Sequence, residues 1–263
     1  MNLLPSHALV ALVPVLLLVV VHLMASRVRD AVGRHQQAVV SVAGGISVTY
    51  VFLHLLPEVA AGAAVVGATL DGLVAPVPLQ EIAVFVVALA GFTTFYLAER
   101  FAARTGSPRH GPGDGAGEAS SAAFAVHVGA FGLYNIAVAY TLPERLAEDA
   151  VSATVFTVAI AVHVLVVDRG LAEHYPHRYR RVGRFVLAGA LLVGWGAAGI
   201  AAPTSSLTVS LMTALVSGSV LLTVFQEELP QAGRSRVGPF LAGVVGYAVL
   251  LVLVAVLAHG QAD

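Results

Sequence analysis

YVFLHLLPE, Tyr50 to Glu58, closes a long apolar run yet carries His54 and Glu58 four positions apart. Four residues make about one helical turn, so the two side chains share a face. Steps of three and four lead back through Tyr50 to Ser47 and make one polar stripe. A helix this apolar has no use for such a stripe against lipid. Reading the stripe therefore needs the solvent of the helix and the identity of whatever the stripe faces.

Composition settles the solvent. Hydrophobic residues make up 58% of the chain and charged residues 11%, with a mean hydropathy of +0.86. Soluble domains carry about 25% charged residues. The chain therefore reads as an integral membrane protein whose first partner is the lipid bilayer. The absence of cysteine excludes disulfides and thiolate metal sites. A formal net charge of −1 argues against nucleic acid as a partner.

A span needs about 20 mostly apolar residues. Eight segments qualify: 5–25, 37–57, 79–99, 122–142, 150–170, 183–202, 206–227 and 237–259. The first has arginines after it and no basic residue before it, the reverse of a cleaved signal peptide, and reads as a true span. The expectation is one all-α transmembrane domain over 1–263, with 103–121 as a flexible loop between spans three and four. All fourteen basic residues are arginine, and thirteen of them fall in the four connections that follow odd-numbered spans. Only Arg145 remains for the other side. The positive-inside rule makes the thirteen cytoplasmic, along with the 103–121 loop, and both termini extracytoplasmic.

The seventh span closes on TVFQEELPQ, Thr223 to Gln231. Set under YVFLHLLPE, it matches Val224 to Val51, Phe225 to Phe52, Leu229 to Leu56 and Pro230 to Pro57, with Glu227 under His54. Gly45 and Gly218 each lie nine residues upstream of that aligned pair. Spans two and seven cross in opposite directions, as an inverted-topology repeat requires. Chance matching of common apolar residues is the competing reading.

Ionisable groups inside a membrane are costly and mark function by default. His54 and Glu58 read as a ligand-bearing face, or else as an interhelical bond and an interfacial carboxylate. Asn135, mid-span in the fourth segment, is either glue between helices or a weak oxygen ligand for a metal. His163 lies deep in the fifth span and reads as a site residue. Asp168 reads as a site residue or as an interfacial partner of Arg169. Glu227 continues a stripe from Ser219 and Thr223. His22 sits near a span end and reads as structural. Histidine with carboxylate suits divalent zinc, iron or manganese, and equally a proton relay.

Eight spans, a long loop after the third, and polar residues in spans two, four, five and seven resemble the ZIP family of divalent metal transporters. HLLPE at 54–58 is similar to the ending of that family's second span. The family's His-Asn-x-x-Asp falls on Tyr134, Asn135, Ile136, Ala137 and Val138, so only Asn135 is kept. Its His-Glu-x-x-His-Glu falls on His163 to Asp168, with His163 kept, Asp168 replacing glutamate, and Val164 and Val167 in ligand positions. The resemblance implies a 3+2+3 bundle with spans 1–3 and 6–8 as an inverted repeat. It implies transport of zinc, iron or manganese into the cytoplasm, zinc foremost, across the cell membrane. Metal would pass His54 and Glu58, rest near Asn135, His163 and Asp168, and leave past Glu227. No prosthetic group is expected, and a homodimer stays open. The alternative is a chain that kept the fold, lost transport and serves as a partner or sensor. An intramembrane enzyme is not expected, since no His-Glu-x-x-His is present.

Overall fold

A computed structural model describes residues 6–32, 36–70, 79–105, 120–201, 205–228 and 236–259. Among these the chain is helical apart from a few capping residues. The helices are α1 (Ser6–Val32), α2 (Gln36–Tyr50), α3 (Leu56–Leu70), α4 (Leu79–Thr105), α5 (Ser121–Glu148), α6 (Ala150–His174), α7 (Pro176–Arg178), α8 (Arg184–Ala201), α9 (Ser206–Thr223) and α10 (Val237–His259). Short π-helical turns follow α2, α7 and α9, at Val51–Leu55, Tyr179–Gly183 and Val224–Glu228. The result is eight helices long and apolar enough to cross a bilayer.

Each overlaps a segment expected from hydropathy, and two differences matter. The second span does not end at Glu58. Helix continues through the π turn and α3 to Leu70, so HLLPE lies inside the helix rather than at its close. Proline normally breaks a helix because it lacks an N–H and its ring meets the carbonyl four residues back. Here the ladder has already widened: the Leu56 N–H bonds to the Val51 carbonyl, five residues back. The wider turn carries the chain past Pro57. The sixth span starts earlier than expected, at Pro176, so Arg178, Arg180 and Arg181 are helical residues and not loop residues. Arg145 is also no loop residue. It belongs to α5, is 6% exposed, and sits inside the bundle. Most of the expected 103–121 loop lies outside the described residues.

The connection between α5 and α6 is a single residue. Asp149 closes α5 with its N–H on the Arg145 carbonyl and opens α6 by accepting from the Val151 and Ser152 N–H groups. Ser120 and Ser205 cap α5 and α9 in the same manner. Enclosure is uneven. The α9 span has 61% of its apolar window buried and the α10 span 11%. Val13, Leu89, Val193 and Val245 on α1, α4, α8 and α10 stay exposed, as a lipid-facing rim requires.

Three helix pairs touch backbone to backbone, α5 and α8 among them, where a Cβ on Gly194 would strike the Ile136 carbonyl. In the other two, α2 packs on α10 and α4 on α9. A Cβ on Gly45 would strike the Phe240 carbonyl and the Val244 amide, and one on Gly218 the Ala88 carbonyl and the Phe92 amide. In return Gly243 meets the Val42 carbonyl, and Gly91 the Leu215 carbonyl. The two contacts are the same contact in different numbers: 42 and 45 become 215 and 218 by one shift, and 88, 91 and 92 become 240, 243 and 244 by another. The π turns at Val51 and Val224 obey the first of these shifts.

Candidate functional site

Three polar clusters interrupt the apolar core. The central one joins α1, α5 and α6. His22 Nδ1 lies 3.0 and 2.8 Å from the two Asp168 oxygens. Its Nε2 lies 2.9 Å from Asn135 Nδ2, which also donates to the Leu187 carbonyl at 3.3 Å. A carboxylate only accepts, so Nδ1 carries the proton and Nε2 is the acceptor of the Asn135 amide. A neutral imidazole thus satisfies both ends. All three side chains are buried, Asp168 completely.

His163 lies on α6, its ring 5.6 Å from that of Tyr134 and its Nε2 3.5 Å from Thr223 Oγ1 on α9. Tyr179 stands near Asp168, with its hydroxyl outside hydrogen-bond geometry.

The second cluster lies toward the α5–α6 junction. The Arg145 guanidinium pairs with Glu58 through Nη1 and bonds Thr213 at 3.0 Å and Thr141 at 3.3 Å. It also lies 4.0 Å from the centre of the Phe156 ring, within cation–π range. His54 Nε2 is 4.0 Å from the other Glu58 oxygen, and its ring is 5.3 Å from that of Tyr50. Along this stripe Ser47 Oγ, the Tyr50 hydroxyl, His54 Nε2 and Glu58 Oε2 are buried with no hydrogen-bond partner among the described residues.

The third cluster is at the opposite end of α5. His127 Nε2 contacts Glu99 at 3.0 Å and Nδ1 contacts the Tyr175 hydroxyl at 2.9 Å. Burial, with Glu99 nearby, pushes the Tyr175 hydroxyl up from its ordinary value. It therefore stays protonated and able to donate to Nδ1, while Nε2 faces the Glu99 carboxylate without hydrogen-bond alignment. A cavity of about 60 Å³ opens here, lined by Glu99, His127, His174 and Tyr175 among others.

The site residues expected from sequence are thus divided. Asn135 and Asp168 join one network through His22, and His163 stands beside it. His54 and Glu58 belong to another, around Arg145. The side chain of Glu227 lies outside the described residues. The expected pairing of Asp168 with Arg169 is not formed: Arg169 bonds Glu173 at 2.7 Å, while Asp168 faces inward to His22. The bond from Asn135 to the Leu187 carbonyl is interhelical, as its glue reading expects. Among the described residues no three His, Cys, Asp or Glu side chains converge as a ready metal cage.

Arg145 is the residue that the sequence misplaces, and His22 the one whose partners it does not name. The signal for His22 was present, an ionisable group late in an apolar run, but its partner lies 146 residues away. Arg145 was read as a loop charge because an arginine beside Pro143 and Glu144 resembles a solvated helix end. The chain matches no family model, no curated protein and no solved structure.

Proposed function

We propose that the chain is a ZIP-like bundle, 3+2+3 in arrangement with spans 1–3 and 6–8 as an inverted repeat, that moves a divalent metal ion into the cytoplasm through one central site. The observation that carries the reading is the buried Asp168–His22 couple. Metal-binding histidines commonly give one ring N–H to a carboxylate, which fixes the tautomer and aims the other nitrogen. Asp168 does this to His22, so the Nε2 lone pair points at Asn135, whose amide occupies it here and would give way to an arriving metal. His163 supplies a second imidazole from the same region. Imidazole with oxygen donors suits zinc first, then iron or manganese.

The glycine contacts and π turns support the repeat, since both recur under constant shifts on the helices an inverted repeat would exchange. The pairing of α1 with α6 and of α5 with α8 obeys the same exchange, as does that of α2 with α6 and of α5 with α9. The arginine asymmetry supports extracytoplasmic termini.

The deciding experiment loads proteoliposomes with a zinc-sensitive dye and adds zinc outside. Wild type should give flux above protein-free vesicles, and His22→Ala/His163→Ala should give none. Purified wild type should hold about one zinc per chain by mass spectrometry, the stoichiometry of a single four-ligand site. Folded wild type without flux would sink the reading.

A second reading, a bundle that kept its fold without transport, is favoured by two observations. The His22–Asp168–Asn135 donors already satisfy one another, and a fixed guanidinium holds Glu58. The flux measurement separates the two readings.

A further inference from the structure

Arg145 and the polar stripe of the second span are each unusual, and together they define a site. A buried guanidinium needs a counter-ion, and Glu58 supplies one oxygen. Its other oxygen, His54 Nε2 and the Tyr50 hydroxyl are buried and lack hydrogen-bond partners among the described residues. Tyr50 is 2% exposed, so its hydroxyl has no recourse to bulk solvent. Imidazole nitrogen and carboxylate oxygen one helical turn apart suit a small divalent cation, with the Tyr50 phenol oxygen one turn further back on the same face. The Nε2 of His54 lies 4.0 Å from Glu58 Oε2, too far for a strong bond between the two and open enough for a shared third body.

We propose that His54, Glu58 and Tyr50 form a divalent-cation subsite and that the Arg145 guanidinium occupies it as a tethered cation. The inference rests on the metal-transport reading and adds a residue that decides when the metal gains access. The guanidinium neutralises Glu58 and repels an arriving cation, so the subsite fills only when Arg145 swings away. Apart from the Glu58 pair, which an arriving cation would replace, its anchors are weak enough for that motion. Thr141 and Thr213 are neutral acceptors, and the Phe156 ring holds the cation without fixing its orientation.

The test is titration calorimetry with zinc chloride on the purified full chain in detergent at neutral pH. Arg145→Gln removes the charge and should bind one zinc more than wild type, or bind it at least about tenfold more tightly. Arg145→Lys keeps a cation near Glu58 and should match wild type. Adding Glu58→Gln to Arg145→Gln should abolish the gain. Thr213→Val loosens the tether at nearly constant volume and should tighten zinc by about threefold, the loss of one hydrogen bond to a charged group being partly compensated. It remains decisive if Arg145→Gln does not fold, because that variant keeps every charge in place. No gain in folded Arg145→Gln or in Thr213→Val overturns the proposal, as does a gain that survives Glu58→Gln. Failure of the transport reading looks different: wild-type proteoliposomes show no flux whether or not Arg145→Gln gains a zinc site.

Discussion

The His22–Asp168–Asn135 network and the stripe from Ser47 to Glu58 use the same kinds of side chain and solve opposite problems. In the first, each donor has an acceptor, and one neutral imidazole links a carboxylate on one side to an amide on the other. In the second, four buried polar atoms have no partner among the described residues, and a full charge is packed among them. A closed network holds helices in place, whereas an open one must meet something that arrives. The contrast teaches that burial of polar groups alone does not mark a site. Whether they satisfy one another sets what a ligand must displace to bind.

The largest effect should come from cutting the closed network. Asp168→Ala leaves the His22 N–H buried without an acceptor and should cost about 3 kcal/mol, the upper end for a stranded buried donor. Fluorescence-detected melting of the single Trp195 in detergent should report a steep fall, with Asp168→Asn falling less because its carbonyl still accepts. Equal melting of Asp168→Ala and wild type would erase the contrast.

Next comes an asymmetry inside the open cluster. Glu58→Gln strands the Arg145 guanidinium, which is 6% exposed, and should cost about 2–3 kcal/mol. Arg145→Gln strands a carboxylate whose side chain is 30% exposed, and the cost should be about 1 kcal/mol. Melting curves of the two variants would reverse the assignment if Arg145→Gln proved the worse.

The smallest effect sharpens the comparison most. Removing a bonded hydroxyl costs about 1 kcal/mol, as Tyr175→Phe should show by depriving His127 of its donor. Tyr50→Phe deletes an unpartnered hydroxyl, and its melting temperature should not fall, while zinc flux in proteoliposomes drops. A destabilised Tyr50→Phe would mean that the stripe is a closed network after all.

Hydropathy made the eight helices readable, because apolarity is a property of each segment by itself. The spacing of Ser47, Tyr50, His54 and Glu58 likewise made the stripe readable, since a face is local. The extent of the second helix was not readable. Pro57 is a stop in an ordinary ladder, and only the π turn at Val51–Leu55 lets the helix continue. Partners were the least legible. His22 finds Asp168, and Arg145 finds Glu58, across long stretches of chain, and no spacing rule reaches that far. The pairing of α2 with α9 motifs by eye did locate Gly45 and Gly218. That those glycines exist to admit another helix's carbonyl became plain only with the helices in contact.

The glycine contacts of α2 with α10 and of α4 with α9 act as rivets. A carbonyl seated where a side chain is missing cannot slide along its neighbour without colliding with the next Cβ. Each riveted pair, α2 with α10 and α4 with α9, therefore moves as one plate. The one-residue joint at Asp149 couples α5 to α6 with as little slack. On the transport reading proposed above, exposure of the interior to alternate sides would be left to rocking between plates, with the bend taken up at the widened turns. The turn at Val51–Leu55 carries His54 of the polar stripe, so flexing there and uncovering Glu58 would be a single movement.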